Sequence, residues 1–231
     1  MPSLGPMILV VGSLLLLALL CWATYQSGRI MQEQPPDTNL LLSTPETVVR
    51  LVLIGVCLAL GLVSGLGTSR FGWQGTDVLL GLVEGAAVGL VVQTILNVST
   101  RRMIGIFGKD IYSPVVVRNI LPKDRRQAVL VSLAFIPAVL MEELLFRSLL
   151  VGGLSVFFNP WLLAVIWSML FGTMHLPQGG FGMIATSVVG FALSAAFIFT
   201  GSLLAPLAAH YVINLLQLHD AAQHRDWLES Y

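Results

Sequence analysis

The side chains best suited to chemistry lie in a short segment around residue 142 and in two later segments. Residues 141–147 read Met-Glu-Glu-Leu-Leu-Phe-Arg, which puts two carboxylates and a guanidinium in one apolar stretch. Adjacent residues of a helix diverge by about 100°, so Glu142 and Glu143 cannot point to one centre. Glu143 and Arg147 are four residues apart, in the order that favours an ion pair on one helix face. We therefore expect Glu143 to pair with Arg147 and Glu142 to face a cavity.

Two histidines and an asparagine follow in the same half of the chain. Phe171 and His175 lie four residues apart at the end of one apolar run, and His210 and Asn214 lie four apart in another. This spacing places the members of each pair on one helix face. Ionisable groups inside a membrane are costly and usually mark a pathway or a reaction centre. The three segments therefore indicate a functional site, and hydrolysis, proton transfer and metal binding are all within the chemistry of its residues.

A zinc site is the alternative to a centre without metal. His175, His210 and a glutamate would provide two nitrogens and one carboxylate, with an open position for water. The chain has no His-Glu-x-x-His segment, which is the usual helical arrangement of such ligands. We therefore expect no cofactor and keep zinc, held by these histidines and a glutamate, as the alternative.

Helices in a membrane must position these groups. Of the 231 residues, 56% are hydrophobic and 10% are charged, whereas a soluble domain carries about 25% charged residues. The formal net charge is zero, so no basic field attracts nucleic acid. The composition excludes a disordered protein, a nucleic-acid-binding protein and an ordinary cytosolic enzyme. The expected fold class is all-α, a polytopic transmembrane helix bundle whose first partner is the lipid bilayer.

Apolar windows of about 20 residues predict about seven membrane spans. We place them near residues 4–25, 48–66, 77–97, 128–151, 158–176, 181–200 and 203–219. They divide the chain into N-terminal spans of unspecific character (1–100), a basic cytoplasmic loop (101–127), a catalytic membrane core (128–219) and a polar C-terminal tail (220–231). The run from Met7 to Tyr25 is expected to be a retained span, because no Lys or Arg precedes it as in a signal peptide.

The distribution of basic residues predicts the orientation of the chain. Seven of the 12 Lys and Arg residues lie within residues 98–127, and the positive-inside rule places such a segment in the cytoplasm. The N-terminus then faces outward and the C-terminus inward. The expected location is the plasma membrane of a bacterium, with several passes through it.

Small residues in the third predicted span indicate close helix packing. Gly81, Gly85 and Gly89 recur every four residues, a spacing that lets two helix backbones approach. Glu84 lies between the first two. We expect Glu84 on the same packing face, with an arginine or a backbone group as its structural partner.

The three polar motifs together resemble one protein family. Glu-Glu-x-x-x-Arg at 142–147, Phe-x-x-x-His at 171–175 and His-x-x-x-Asn at 210–214 occur in this order on successive predicted spans. Together they resemble the motifs of the CAAX protease and bacteriocin-processing family, also called CPBP or Abi. The resemblance covers residues 125–219. It implies an intramembrane endopeptidase that hydrolyses peptide bonds of membrane-embedded or membrane-associated substrates without a covalent enzyme intermediate.

The resemblance also implies a role for each motif residue. Glu142 would be the general base, and His175 would hold or help activate the attacking water. His210 and Asn214 would donate hydrogen bonds to the oxyanion of the tetrahedral intermediate. The remaining acid and the arginine of the first motif would hold the helix geometry.

Two other functions stay open at this point. A family member that no longer cleaves would act as a membrane scaffold or an immunity protein. A small proton-linked transporter would also use intramembrane Glu and His, although the chain shows no internal repeat of the kind that builds many transporters. Prenylated C-terminal peptides, bacteriocin leaders and other membrane proteins are all substrates within the family, and the motifs do not distinguish among them.

Overall fold

The structure is a computed structural model that describes residues 4–33, 38–74, 77–225 and 228. Every regular element in these ranges is helical, which confirms the predicted all-α fold class. The main helices are α1 (Leu4–Glu33), α2 (Thr44–Val63), α3 (Val78–Phe107), α4 (Val115–Ile120), α5 (Arg125–Glu143), α6 (Pro160–Thr173), α7 (Gly179–Thr200) and α8 (Leu204–Gln223).

Seven of these helices correspond to the seven predicted spans. Within the described ranges, five stretches are long and apolar enough to cross a membrane: Leu4–Met31, Thr44–Val63, Val78–Phe107, Arg125–Val156 and Leu176–Thr200. The other two helices are α6 and α8. α6 is apolar but has only 14 residues, about 21 Å at the rise of an α-helix. The protein is thus an integral, multi-pass membrane protein. α6, which His175 follows, differs from the five long spans in its length and not in its apolar character.

Two helices extend beyond their predicted apolar windows. α1 ends at Glu33 rather than near residue 25, and α3 ends at Phe107 rather than near residue 97. Arg101 and Arg102 therefore lie in a helix and not in the loop predicted for this segment. Hydropathy detects only the part of a helix that lipid or protein covers, whereas backbone hydrogen bonds continue past it.

α5 passes without a break into a π-helix, Leu144–Gly153, whose ten residues are all buried. In a π-helix each N–H bonds the carbonyl five residues back instead of four, and such segments are frequent at functional sites. Glu143 is the last residue of α5, so the change of helix type falls between the acidic pair and Arg147. Pro137 lies inside α5, one and a half turns earlier.

α3 packs closely along α8 through its glycines. Gly81, Gly85 and Gly89 are all buried, and a Cβ on Gly85 would overlap the carbonyl of Ala205. This confirms the close packing that the glycine spacing predicts. The prediction for Glu84 is wrong, because its side chain is exposed: the residue before Gly85 is turned away from the contact by about 100°.

The connection between α2 and α3 folds back into the bundle. Trp73 Nε1 donates a hydrogen bond to Ser148 Oγ at 3.1 Å, and Ser148 Oγ donates to the carbonyl of Phe71 at 2.5 Å. The Phe71 ring is completely buried in the largest apolar cluster, which also takes in residues of α1, α2, α6 and the π-helix. The π-helix is therefore packed among several elements, and its Arg147 contacts Phe171 of α6 and the carbonyl of Gly190 on α7.

Candidate active site

A buried ion pair lies at the junction of α5 and the π-helix. Arg147 Nη1 donates to Glu143 Oε1 at 3.0 Å, and the two side chains are 1% and 0% exposed. Arg147 Nη2 donates to the carbonyl of Gly190 on α7 at 3.0 Å, and its guanidinium lies 5.0 Å from the ring centroid of Phe171. The pair predicted from the spacing is thus present. It joins the first motif to α6 and α7.

Glu143 also binds His210, a contact that the sequence does not reveal. His210 Nδ1 lies 2.7 Å from the same Glu143 oxygen, Oε1, and the imidazole is buried. A carboxylate is an acceptor, so His210 donates from Nδ1 and its Nε2 is left to face the rest of the site. Glu143 therefore fixes the orientation of His210 as well as pairing with Arg147.

Glu142 occupies a more open position than its neighbour. Its side chain is 30% exposed, and its Oε2 lies 3.8 Å from Nε2 of His210. This distance is too long for a hydrogen bond. Glu142 makes no side-chain hydrogen bond within the described part of the chain, so its carboxylate is free to bind water or substrate next to His210. The two acids diverge as predicted, one into the core and one into an opening.

His175 lies in the turn after α6 with one nitrogen already occupied. Its Nδ1 is 2.8 Å from the carbonyl of Phe171, which can only accept, so this nitrogen carries a proton and Nε2 is the free nitrogen of the neutral ring. The imidazole packs on Phe171, with 4.8 Å between ring centroids. The same Phe171 ring lies 6.1 Å from the His210 ring, between centroids, and Nε2 of His210 lies 3.8 Å from Glu142 Oε2. The two histidines and the exposed acid thus belong to one site.

Phe171 is the residue around which this site is arranged. Its ring is buried and contacts His175, the guanidinium of Arg147 and, edge-on at 6.1 Å between centroids, His210. The sequence gives Phe171 only a shared helix face with His175. An aromatic face attracts cations, so the Phe171 ring stabilises the guanidinium of Arg147 that lies over it.

Asn214 lies one turn after His210 on α8 and is half-buried. Its amide makes no side-chain hydrogen bond to any residue in the described ranges, which leaves its donors available to a ligand. The structure therefore places Asn214 on the helix that carries His210, with no competing partner.

The residues fit a zinc ion poorly. Nitrogen and carboxylate donors are those that zinc prefers, but no group of three His, Cys, Asp or Glu side chains in the described ranges comes close enough to hold a metal. His210 donates from Nδ1 to Glu143 and its Nε2 lies 3.8 Å from Glu142 Oε2; this arrangement would suit a metal ligand, so the poor fit rests on the missing third ligand within the described ranges. The geometry is that of a carboxylate–histidine network open to a water molecule.

Comparison with known proteins relates part of the chain to a protein family. Residues 124–216 match the family model described as type II CAAX prenyl endopeptidase Rce1-like. No curated protein and no solved structure matches the chain. The matched range includes all three polar motifs and ends before the polar tail, and it confirms the family resemblance of this part of the chain.

Proposed function

We propose that the protein is an endopeptidase that hydrolyses a peptide bond of a membrane-embedded or membrane-associated substrate, since residues 124–216 match the family model of type II CAAX prenyl endopeptidases. One observation carries the proposal. The accessible carboxylate of Glu142 lies 3.8 Å from Nε2 of His210, and the other nitrogen of that ring is fixed by the buried Glu143. Amide hydrolysis by water needs such a base beside an oriented hydrogen-bond donor.

The first step is attack of a water molecule on the substrate carbonyl carbon. Glu142 takes one proton from the water as the new carbon–oxygen bond forms. Nε2 of His175 accepts a hydrogen bond from the other water hydrogen, because Nδ1 already donates to the carbonyl of Phe171. The carboxylate and the imidazole together orient the lone pair of the water toward the carbonyl carbon.

The second step is stabilisation of the oxyanion. Nε2 of His210 and the amide of Asn214 donate hydrogen bonds to it, and each preorganised donor is worth about 3 kcal/mol. Since Nδ1 of His210 donates to Glu143, donation from Nε2 requires an imidazolium with both protons.

The reaction ends when the carbon–nitrogen bond breaks. Glu142, now a carboxylic acid, returns its proton to the leaving amine and becomes the carboxylate again. No covalent enzyme intermediate forms. No step passes through a metal, because the water is bound and activated by Glu142 and His175 alone.

Replacing Glu142 with Gln tests the proposed base while keeping its size. The protein is reconstituted in liposomes with a quenched fluorescent, farnesylated peptide that ends in a CAAX sequence. Loss of a general base lowers rates by about 10²- to 10⁴-fold, so we expect cleavage to fall by at least 10²-fold. Glu84→Gln is the matched control, because Glu84 is an exposed carboxylate of another membrane-spanning helix; it is expected to cleave as the wild type does.

Two results would count against this proposal. If Glu142→Gln cleaves as fast as the control, Glu142 is not the base. If the variant retains a cellular phenotype of the wild-type protein, a scaffold or immunity role becomes the better explanation. Metal independence has its own measurement: treatment with a strong chelator is expected to leave activity intact, whereas stoichiometric bound zinc whose removal abolishes cleavage would overturn that part.

A further inference from the structure

A cavity lies beside the candidate active site, between α3, α7 and α8. Its volume is 360 Å³, within the range of small-ligand pockets. None of the six motif residues with proposed roles lines it. Leu96 of α3 and Phe181 and Val189 of α7 form part of an apolar wall, interrupted by several polar side chains.

Gln93 marks this cavity as a binding site. It lines the cavity and is only 3% exposed. Its Nε2 donates to Asn97 Oδ1 at 2.8 Å, and its Oε1 has no hydrogen-bond partner among the described residues. An unpaired buried acceptor costs stability, because it has lost its hydrogen bond to water. A ligand that donates a hydrogen bond here would remove this cost.

The charged groups of the cavity neutralise one another. Arg101 lies 3.6 Å from Asp220, and Asp220 also faces His224 at 3.5 Å. Gln178 and Gln217, which carry neutral amides, also line the cavity. An apolar wall with neutral hydrogen-bonding groups suits an uncharged ligand that alternates apolar surface with amide groups, and an extended peptide has this character.

α8 connects the cavity to the candidate active site. Gln217 lines the cavity and follows His210 by seven residues, so the two lie on the same helix face about 10 Å apart. Asn214 lies between them. An extended peptide covers that distance in a few residues, so one substrate chain can reach both places.

We propose that the cavity between α3, α7 and α8 binds an uncharged, extended segment of the peptide substrate, whose backbone N–H donates to the amide of Gln93. The inference rests on the proposed endopeptidase function. Gln93 and Asn97 lie outside residues 124–216, the range that matches the family. They would therefore give this chain a selectivity that the shared motifs do not contain.

Two variants test the cavity in different ways. Gln93→Met keeps the length of the side chain and removes its hydrogen bonds, and Ala185→Phe fills the cavity from α7, where Ala185 is part of the lining. The matched control is Thr94→Val, because Thr94 follows Gln93 on α3 but is exposed, and its hydroxyl donates to the carbonyl of Leu90. The probe is the fluorescent farnesylated peptide. Its Kd is measured on the Glu142→Gln background, and KM and kcat on the active protein.

We expect Gln93→Met to raise Kd and KM about three- to tenfold, the effect of one neutral hydrogen bond, with kcat unchanged. Ala185→Phe should raise both by more than tenfold, and Thr94→Val should change neither. Normal affinity in both cavity variants would overturn the inference even if cleavage is intact, and so would a wild-type protein that does not bind the peptide. Altered affinity without cleavage in any protein would support the cavity and refute the endopeptidase function. A co-purified lipid that is lost only in Ala185→Phe, with peptide affinity unchanged, would assign the cavity to lipid and also overturn the inference.

Discussion

Removing the arginine of the buried ion pair should lower the stability of the protein more than removing an arginine from an exposed ion pair. In Arg147→Met the apolar stem is largely kept, but Glu143 loses the cation 3.0 Å away and the carbonyl of Gly190 loses its donor. Glu143 is completely buried and its second oxygen, Oε2, already has no partner within the described ranges. A carboxylate left in this position cannot recover its solvation.

The expected loss follows from the burial. Breaking a buried ion pair by removing one partner costs about 3–5 kcal/mol, because the other charge stays uncompensated. For a chain of this size, 1 kcal/mol shifts the melting temperature by about 2–4 °C. The melting temperature of Arg147→Met should therefore fall by between about 6 and 20 °C. Arg29→Met is the control, because Arg29 and Glu33 form a pair at the same spacing with both side chains exposed, and such pairs contribute about 0–1 kcal/mol.

Cys57 provides the assay. Its side chain is completely buried in the main apolar cluster, so a thiol-reactive dye labels it only as the bundle opens. Cys21, which is partly accessible, is replaced by Ser in every protein compared. A melting temperature of Arg147→Met within about 2 °C of the Arg29→Met control would refute the argument, since it would mean that Glu143 needs no cation.

The double variant separates stability from activity. In Glu143→Leu, Arg147→Met the charges are removed together, and replacement of a buried pair by apolar residues is often neutral or stabilising. The double variant should therefore melt at a higher temperature than Arg147→Met. It should remain inactive, because Nδ1 of His210 has lost the acceptor 2.7 Å away. Recovery of cleavage together with stability would show that Glu143 has no part in orienting His210.

Three further changes test other contacts. Gly85→Ala should lower the melting temperature, because the new Cβ overlaps the carbonyl of Ala205, whereas Gly105→Ala has open space around the Cβ and should not; equal melting of the two would contradict the packing of α3 on α8. Asn214→Leu should keep the fold and lower kcat by about 10²- to 10³-fold, the effect of losing one oxyanion donor; an unchanged kcat would remove Asn214 from the site. Ser148→Ala should lower the free energy of unfolding by about 1 kcal/mol, because it removes the hydrogen bonds to Trp73 and to the carbonyl of Phe71. The same dye assay measures this loss. An unchanged stability would mean that the α2–α3 connection does not depend on Ser148.

The fold was predictable because two sequence patterns dominate it, namely long apolar stretches and a regular spacing of small residues. Apolar windows of about 20 residues located the seven long helices, and the four-residue spacing of Gly85 and its neighbours located the close approach of α3 to α8. Predictions from polarity fail where a polar residue lies in a helix for reasons other than burial in the membrane. The glycine spacing led to the wrong face for Glu84. The windows missed the last ten residues of α3, which include Arg101. They also gave no sign that α5 becomes a π-helix after Glu143, since an extra residue in a turn leaves the average hydropathy unchanged.

The candidate site was predictable only as far as each helix could be read alone. The i, i+4 spacing gives the ion pair of Glu143 with Arg147, and the turn between adjacent residues gives the separation of Glu143 from Glu142. No spacing within a helix can show that His210, 67 residues later, uses the same oxygen of Glu143. That shared oxygen changes the role of Glu143. Once it accepts from both Arg147 and His210, a change at Glu143 alters the position of an imidazole beside Glu142 as well as the stability of the helix. Glu143, to which the motif assigns a structural role, thus links the stability of the helix to the position of the His210 imidazole.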